Sequence, residues 1–153
     1  MAITVPLLET LTESINRFLS EYALHDPADK ATAEWSAKDV LCHITYWHEY
    51  YAKNLDAEAH GKKFIFPDLT YYELNWRGVL MLRPYADTKL IGMLTNANKR
   101  LVETIMSGKV TEMTYRQGSK PYPINQFLEV ITGHIHGHTD EIRKSKRDPN
   151  ATE

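Results

Sequence analysis

The sequence predicts an all-α protein, a bundle of four long helical segments that forms a single domain over residues 1–153. Four long segments carry apolar residues at spacings of three and four, the pattern of an amphipathic helix. No segment shows a convincing strand pattern. A chain of 153 residues has the length of one ordinary domain, and its amphipathic helices can bury their apolar stripes against one another.

The first two helices are predicted from their apolar spacing and their ends. The first runs from about Pro6 to Ala23, since proline fits the first turn of a helix. The second follows Ser36, a residue typical of the helix N-cap. Asp39 stands three positions later, where a capping box usually has glutamate or glutamine. The helical pattern ends at about Ala59.

Proline divides the next helical segment. Helical spacing runs from about Leu69 to Leu82, and Pro84 follows. Proline removes a backbone hydrogen bond and clashes with the preceding turn, which predicts a break or kink at residues 83–85. The helical pattern then resumes over residues 87–105.

Two segments between the helices lack helical spacing. Residues 62–68 are expected to form an apolar loop packed on the bundle. Residues 109–123 contain glycine and prolines and are expected to be irregular and to cross one end of the bundle; loops of that length are often functional. The last helix is predicted from about Ile124 to Lys146.

Composition and charge argue against several classes of protein. Net charge is -2, with acidic and basic residues mixed along the chain, which argues against a nucleic-acid surface. The one basic run, residues 143–147, suits a helix end, with a phosphate or lipid contact as the alternative. No stretch has the features of a membrane span or a signal peptide, so a cytoplasmic protein is expected. Cys42 is the single cysteine and is expected to be a small buried residue rather than a nucleophile.

Histidines form two clusters on the predicted helices. His134 and His138, four positions apart, share the apolar face of the last helix, whereas His136 is turned outward. On the second helix His43 lies beside the apolar stripe, and His48, about 140° further round, points elsewhere. The spacing therefore predicts His43, His134 and His138 as inward-facing imidazoles.

Buried imidazoles need partners, because unpaired polar groups in an apolar core are costly. A divalent metal ion binds one lone pair of each ring, and neutral imidazole suits zinc, copper, nickel and iron. A histidine pair four apart on a helix is a known metal clamp. A third histidine from another helix leaves a coordination position open for water or substrate. The alternative is a metal-free core in which the histidines are hydrogen-bonded.

Two segments carry a family resemblance. WSAKDVLCHITYWHEYY, residues 35–51, resembles the second-helix signature of the DinB/YfiT-like superfamily, in which that helix carries the first metal histidine. ITGHIHGHTDEI, residues 131–142, is similar to the family's last-helix signature. The resemblance implies an up-and-down four-helix bundle, often a homodimer, with His43, His134 and His138 as the metal triad. It also implies a thiol-dependent S-transferase or isomerase, or a hydrolase, with a low-molecular-weight thiol as partner.

The middle of the chain resembles a second branch. FPDLTYYELNWRGVLMLRPYAD, residues 66–87, is similar to the ClbS/DfsB-like proteins, which carry an aromatic-Asn motif followed by a Tyr-Ala-Asp segment. That branch includes a protective hydrolase that opens a reactive cyclopropane, and its members often lack the full histidine triad. This chain combines the triad of one branch with the middle segment of the other.

Further candidate residues surround the predicted triad. A zinc or nickel ion on neutral imidazoles would lower the pKa of a bound water or thiol, and either route needs a proton acceptor. Glu141 is the candidate, either acting there or contacting His138, with a surface acid as the alternative. Trp47, Tyr50, Asn75 and Trp76 are candidates for contacting the substrate.

The function expected from these residues is a metal-dependent thiol S-transferase or hydrolase that acts on a small electrophile. Arg116 and Lys120, in the irregular segment, are candidates for meeting an anionic substrate. The alternative is a non-catalytic protein that binds or sequesters a small molecule, as in the ClbS/DfsB-like branch. A metal-free structural bundle is the third reading, and the sequence leaves open whether the protein is an enzyme.

Overall fold

The computed structural model describes residues 3–115 and 118–147, and within them the chain is mainly helical. Five helices and one two-stranded hairpin follow one another along the chain. They are α1 (Thr4–Tyr22), α2 (Ala37–Ala59), α3 (Tyr71–Leu82), α4 (Asp87–Met106), β1 (Glu112–Met113), β2 (Tyr122–Pro123) and α5 (Ile124–Arg143). The prediction of an all-α protein is therefore confirmed at the level of fold class.

The start of α2 confirms the capping box that the sequence suggested. The Ser36 hydroxyl accepts a hydrogen bond from the Asp39 backbone N–H, and the Asp39 carboxylate accepts one from the Ser36 backbone N–H, each over 3.2 Å. Asp39 also accepts two hydrogen bonds from the Arg83 guanidinium, at 3.0 and 3.1 Å. The first turn of α2 is thus tied to the break after α3.

The break at Pro84 is confirmed, and it separates two helices rather than kinking one. α3 ends at Leu82 and α4 begins at Asp87. The start of α3 lies two residues later than predicted, because Thr70 is the N-cap and forms its own capping box with Glu73. The described residues therefore form five helices, because the third of the four predicted helical segments is divided in two.

Two details of the sequence prediction are wrong. The segment expected to be irregular contains a short antiparallel hairpin, with Glu112 opposite Pro123 and Met113 opposite Tyr122. The last helix ends at Arg143 rather than Lys146, since the Lys146 backbone instead forms hydrogen bonds of 3.1 and 2.6 Å with the backbone of Lys30. Neither pairing is visible in a local apolar pattern, because each depends on backbone hydrogen bonds to residues further along the chain.

Helix α2 occupies the middle of the packing. It lies against α3 and α4, while α1 packs against α5. Fully buried leucine and phenylalanine side chains from α1, α2, α4 and α5 fill the interior: Leu11, Phe18, Leu41, Leu55, Leu94, Leu101, Phe127 and Leu128. α2 also buries five polar or charged residues: Asp39, His43, Thr45, His48 and Asn54. Among the described helices, none combines the length and the apolar character that a bilayer span requires.

Helix α3 approaches α2 closely at one glycine. A Cβ atom placed on Gly78 would lie 2.4–2.8 Å from the side chain of Tyr46 on α2, closer than real Cβ contacts allow. The absence of a side chain at this position lets the two helices meet with Tyr46 between them. This contact fixes the position of α3, which supplies Asn75 and Trp76 to the region described next.

Candidate metal centre

His43 is buried near the start of α2, with 3% of its surface exposed. Its ring lies against the Trp35 indole, with centroids 4.7 Å apart. Its Nδ1 atom is buried and has no hydrogen-bond partner in the described part of the chain. A buried imidazole nitrogen without a partner carries a desolvation cost, so it marks a place where a ligand or ion would be stabilised.

His134 and His138 on α5 face the same point. The ring of His43 lies 5.4 Å from that of His134 and 4.7 Å from that of His138, centroid to centroid. One nitrogen from each of the three rings can be chosen so that all lie within 4.8 Å of one another. Two helices that are far apart in sequence thus bring three imidazoles together.

The two histidines of α5 approach through their Nε2 atoms, which are 2.9 Å apart. The other nitrogen of His138, Nδ1, lies 2.7 Å from Oε2 of Glu141. Since a carboxylate only accepts, Nδ1 of His138 carries the proton and donates it to Glu141. Its Nε2 then presents a lone pair toward His134 and His43.

These residues fit a divalent metal ion. Nitrogens bound to one ion at ~2.0–2.1 Å lie roughly 3 Å apart, close to the separation between the two α5 histidines. The donor set is three imidazoles, which suits zinc, copper, nickel or iron. The orphaned nitrogen of His43 and the anchored Nδ1 of His138 are both features of a ligand set rather than of a satisfied core.

Burial favours the neutral form of two of the three imidazoles, those of His43 and His134. Burial, together with the charges of His138 and His134, lowers the pKa of His43 to about 2. Burial and the charge of His138 lower the pKa of His134 to about 4, against an opposing effect of Glu141. His134 is nevertheless exposed to solvent, whereas the helix pattern predicted a buried ring. Neutral rings at pH 7 have the free lone pairs that a metal requires.

The three histidines form one wall of a cavity of about 410 Å³. Most of the remaining wall is aromatic, contributed by Trp35, Trp47, Tyr51, Tyr71, Tyr115 and Tyr122, with Asn75 and Val130 completing it. None of the described residues that line this cavity is an aspartate, glutamate, lysine or arginine. The cavity, defined by these residues, is called the aromatic cavity below.

The predicted substrate residues occupy different places. Trp47 and Asn75 both line the aromatic cavity, and the Trp47 indole N–H donates a 2.7 Å hydrogen bond to Oδ1 of Asn75. Trp76 lies outside it and lines a second cavity. Tyr50 lines neither of the two cavities. Its hydroxyl instead donates a 2.6 Å hydrogen bond to the carbonyl of Tyr115.

The remaining candidates lie away from the aromatic cavity. His136 is exposed on α5, as its spacing predicted. His48 is buried on another side of α2, where its Nε2 is 3.0 Å from Oδ1 of Asn98. Lys120 is exposed and does not line the cavity, and Arg116 lies outside the described residues.

Sequence reasoning missed five aromatic residues of the cavity wall. Trp35 precedes α2, Tyr51 lies within α2 and Tyr71 begins α3. Tyr115 and Tyr122 flank residues 116–121, and the hairpin brings their rings to 5.1 Å from one another. The sequence feature that could have indicated this wall is the pair of tyrosines on either side of an irregular segment. Their contact, however, follows only from the register of the hairpin.

Comparisons with known proteins give a match in fold alone. No model of a protein family matches the chain, and no curated protein does. Among solved structures, an uncharacterised protein from Clostridium difficile 630 has a TM-score of 0.72 at 13% identity, over 92% of this chain and 94% of that one. A histidine-to-alanine variant of a mycothiol-dependent maleylpyruvate isomerase has a TM-score of 0.71 at 11% identity, over 91% of this chain. This chain spans 60% of the isomerase's length. At these identities the likeness shows a shared fold and no more.

Proposed function

We propose that the protein is a metal-dependent enzyme of the DinB-like type, built on a four-helix bundle with α3 as an addition. His43, His134 and His138 would hold one divalent ion, zinc or nickel. The substrate would be a small electrophile, attacked by a low-molecular-weight thiol or by water. The observation that carries the proposal is the buried, unpartnered Nδ1 of His43 beside two further imidazoles at the wall of a cavity.

When bound, the ion would supply a Lewis acid that lowers the pKa of a coordinated thiol or water. The chain's own residues prepare for this. Burial keeps His43 neutral, and the Glu141 carboxylate holds the proton of His138 on Nδ1, so that Nε2 is free to bind. Three protein ligands would leave a coordination position for water or substrate, as in catalytic rather than structural zinc sites.

The aromatic cavity would select the electrophile. Its described lining carries no ionic side chain, so it favours an uncharged and planar group that packs on the rings of Trp47, Tyr115 and Tyr122. The volume of about 410 Å³ suits a small molecule.

One structural neighbour supports a thiol as the nucleophile, because it is described as mycothiol-dependent. That support is limited to the shared fold. A homodimer and a cytoplasmic location, both expected from the sequence, belong to the same proposal.

A non-catalytic binding protein is the second candidate. It is favoured by the absence of any carboxylate from the described lining of the aromatic cavity, where a proton acceptor for turnover would otherwise lie. Glu141 reaches the site only through His138. The two candidates differ in turnover and share the same metal and cavity.

The test is an activity assay of tag-free protein loaded with zinc or nickel. Glutathione with 1-chloro-2,4-dinitrobenzene reports thiol transfer, and 4-nitrophenyl acetate reports hydrolysis. We expect a rate above that of the free ion in at least one assay, lost in His43→Ala and kept in His136→Ala. The second variant is a matched control, because His136 lies on α5 between the two proposed ligands but faces solvent. Stoichiometric metal binding with no turnover would instead support the binding protein, and no metal binding would contradict both candidates.

A further inference from the structure

A second cavity lies beside the aromatic cavity and reaches the same histidine. It has a volume of about 390 Å³ and is formed by the segment before α2, by α3 and by α5. Trp35, Asn75 and His138 line both cavities. His138 is therefore approached from two sides, and Trp35 and Asn75 lie between them.

The walls of the second cavity differ in charge from those of the first. Glu34 and Glu141 line it, together with the aromatic rings of Trp35, Tyr72 and Trp76. No lysine or arginine is among the described residues of its wall. Carboxylates combined with aromatic faces attract cations, through ion pairing and through the negative face of each ring. We call this space the acidic cavity.

The partition between the cavities is held in place by its own contacts. The Trp35 ring packs edge-on against Trp76, with centroids 5.8 Å apart, and against His43 on its other side. The amide oxygen of Asn75 is occupied by the Trp47 indole N–H. Because both partition residues are held by neighbours, the two cavities are expected to remain separate when one is filled.

We propose that the acidic cavity is a separate binding site for a small molecule that carries a protonated amine, occupied at the same time as the aromatic cavity. The inference rests on the proposed function in one respect: His138, a proposed metal ligand, is the residue that both small molecules approach. In that arrangement an uncharged planar substrate lies on one side of Trp35 and an amine-bearing co-substrate on the other. Binding of the amine needs Glu34 and the aromatic rings, and it does not require turnover.

The three tryptophans of the chain report on the two cavities separately. Trp47 lines the aromatic cavity, Trp76 lines the acidic cavity and Trp35 lines both. The experiment is a titration of ¹⁵N-labelled full-length protein, metal-free and zinc-loaded, followed by the three indole N–H signals in NMR. Nitrobenzene is the neutral planar probe, propylamine at pH 7 is the cationic probe and 1-propanol is its uncharged analogue.

We expect propylamine to shift the signal of Trp76 more than that of Trp47, and nitrobenzene to shift Trp47 more than Trp76, with Trp35 shifted by both probes. Saturation with one probe should leave binding of the other intact. Propanol should cause no shift at the same concentrations. Glu34→Gln should weaken propylamine binding about threefold, because an ion pair with an exposed carboxylate contributes little free energy. Nitrobenzene binding should be unchanged. Glu103→Gln, which removes an exposed glutamate that lines neither cavity, is the charge-matched control.

Competition between the two probes would overturn the proposal, as would equal binding of propanol and propylamine or an undiminished affinity for propylamine in Glu34→Gln. None of these results depends on turnover. A failure of this inference is therefore distinguishable from a failure of the proposed enzyme activity.

Discussion

Oε2 of Glu141 lies 2.7 Å from Nδ1 of His138, and this contact decides which nitrogen of His138 faces the other histidines. A carboxylate bound to the far nitrogen of a histidine fixes the tautomer and the ring orientation, and it makes the other nitrogen a better metal ligand. Glu141 is one helical turn from His138, so α5 would supply both the proposed ligand and its support. We therefore expect Glu141 to position His138 rather than to transfer a proton.

Removal of this support should weaken metal binding without abolishing it. We expect Glu141→Ala to reduce zinc affinity by about 10- to 100-fold, the range measured for similar outer partners. Competition with a chromophoric chelator measures the change. Asp140→Ala is the control, because Asp140 is exposed and pairs only with Arg143 among the described residues. Equal zinc affinity in the two variants would show that Glu141 does not support His138.

The glycine between α2 and α3 should be intolerant of even one added carbon. In Gly78→Ala the new methyl group would overlap Tyr46, so we expect a loss of about 1–3 kcal/mol in the free energy of unfolding. Gly92→Ala is the control, since a Cβ there meets nothing within 4 Å. It should stabilise the protein by about 0.5–1 kcal/mol through helix propensity. Urea denaturation measures both, and a change of the same sign in both variants would contradict this account of the α2–α3 contact.

Acid should destabilise the fold through His48, which the metal site does not use. Burial lowers the pKa of His48 to about 4, against the opposing effect of the Asn98 hydrogen bond. Because the folded pKa lies below the unfolded value near 6.5, the unfolded state binds the proton more tightly. Stability is therefore fully present above pH 6.5 and is lost as pH falls toward 4.

The expected size of this loss is about 2 kcal/mol for His48 alone between pH 7.5 and pH 5. His48→Gln keeps a donor for Asn98 and cannot be protonated in either state. Between pH 7.5 and pH 5 the free energy of unfolding should therefore fall about 2 kcal/mol less in the variant than in the wild type. Urea denaturation of metal-free protein at the two pH values gives the comparison. An identical loss in wild type and variant would contradict the assignment of His48.

The helices and the triad were predictable from the sequence because both follow from local spacing. The capping box at Ser36, the break at Pro84 and the shared face of His134 and His138 depend on residues at most four positions apart. His43 could be placed on the inner side of its helix from the apolar stripe. The contact between His43 and the α5 histidines depends on tertiary packing. The family resemblance implied that contact, whereas the helix pattern alone did not predict it.

The cavities could not be predicted because their walls come from distant segments. Tyr115 and Tyr122 are brought together by hairpin pairing, and Trp35 reaches His43 from outside any regular element. Tyr50 was expected at the substrate, but its hydroxyl is directed to the Tyr115 carbonyl. Helical periodicity predicts the face of the helix on which a side chain lies. It does not predict which residue from another segment contacts that side chain.

The central claim is that three imidazoles from two helices share one cation, and X-ray absorption spectroscopy at the zinc edge tests it most directly. Tag-free protein loaded with one equivalent of zinc should give first-shell nitrogen or oxygen scattering at ~2.0–2.1 Å with the outer-shell pattern of three imidazoles. In His43→Ala the imidazole count should fall, and in His136→Ala it should remain three. A spectrum with fewer than three imidazoles in the wild type, or one left unchanged by His43→Ala, would contradict the account.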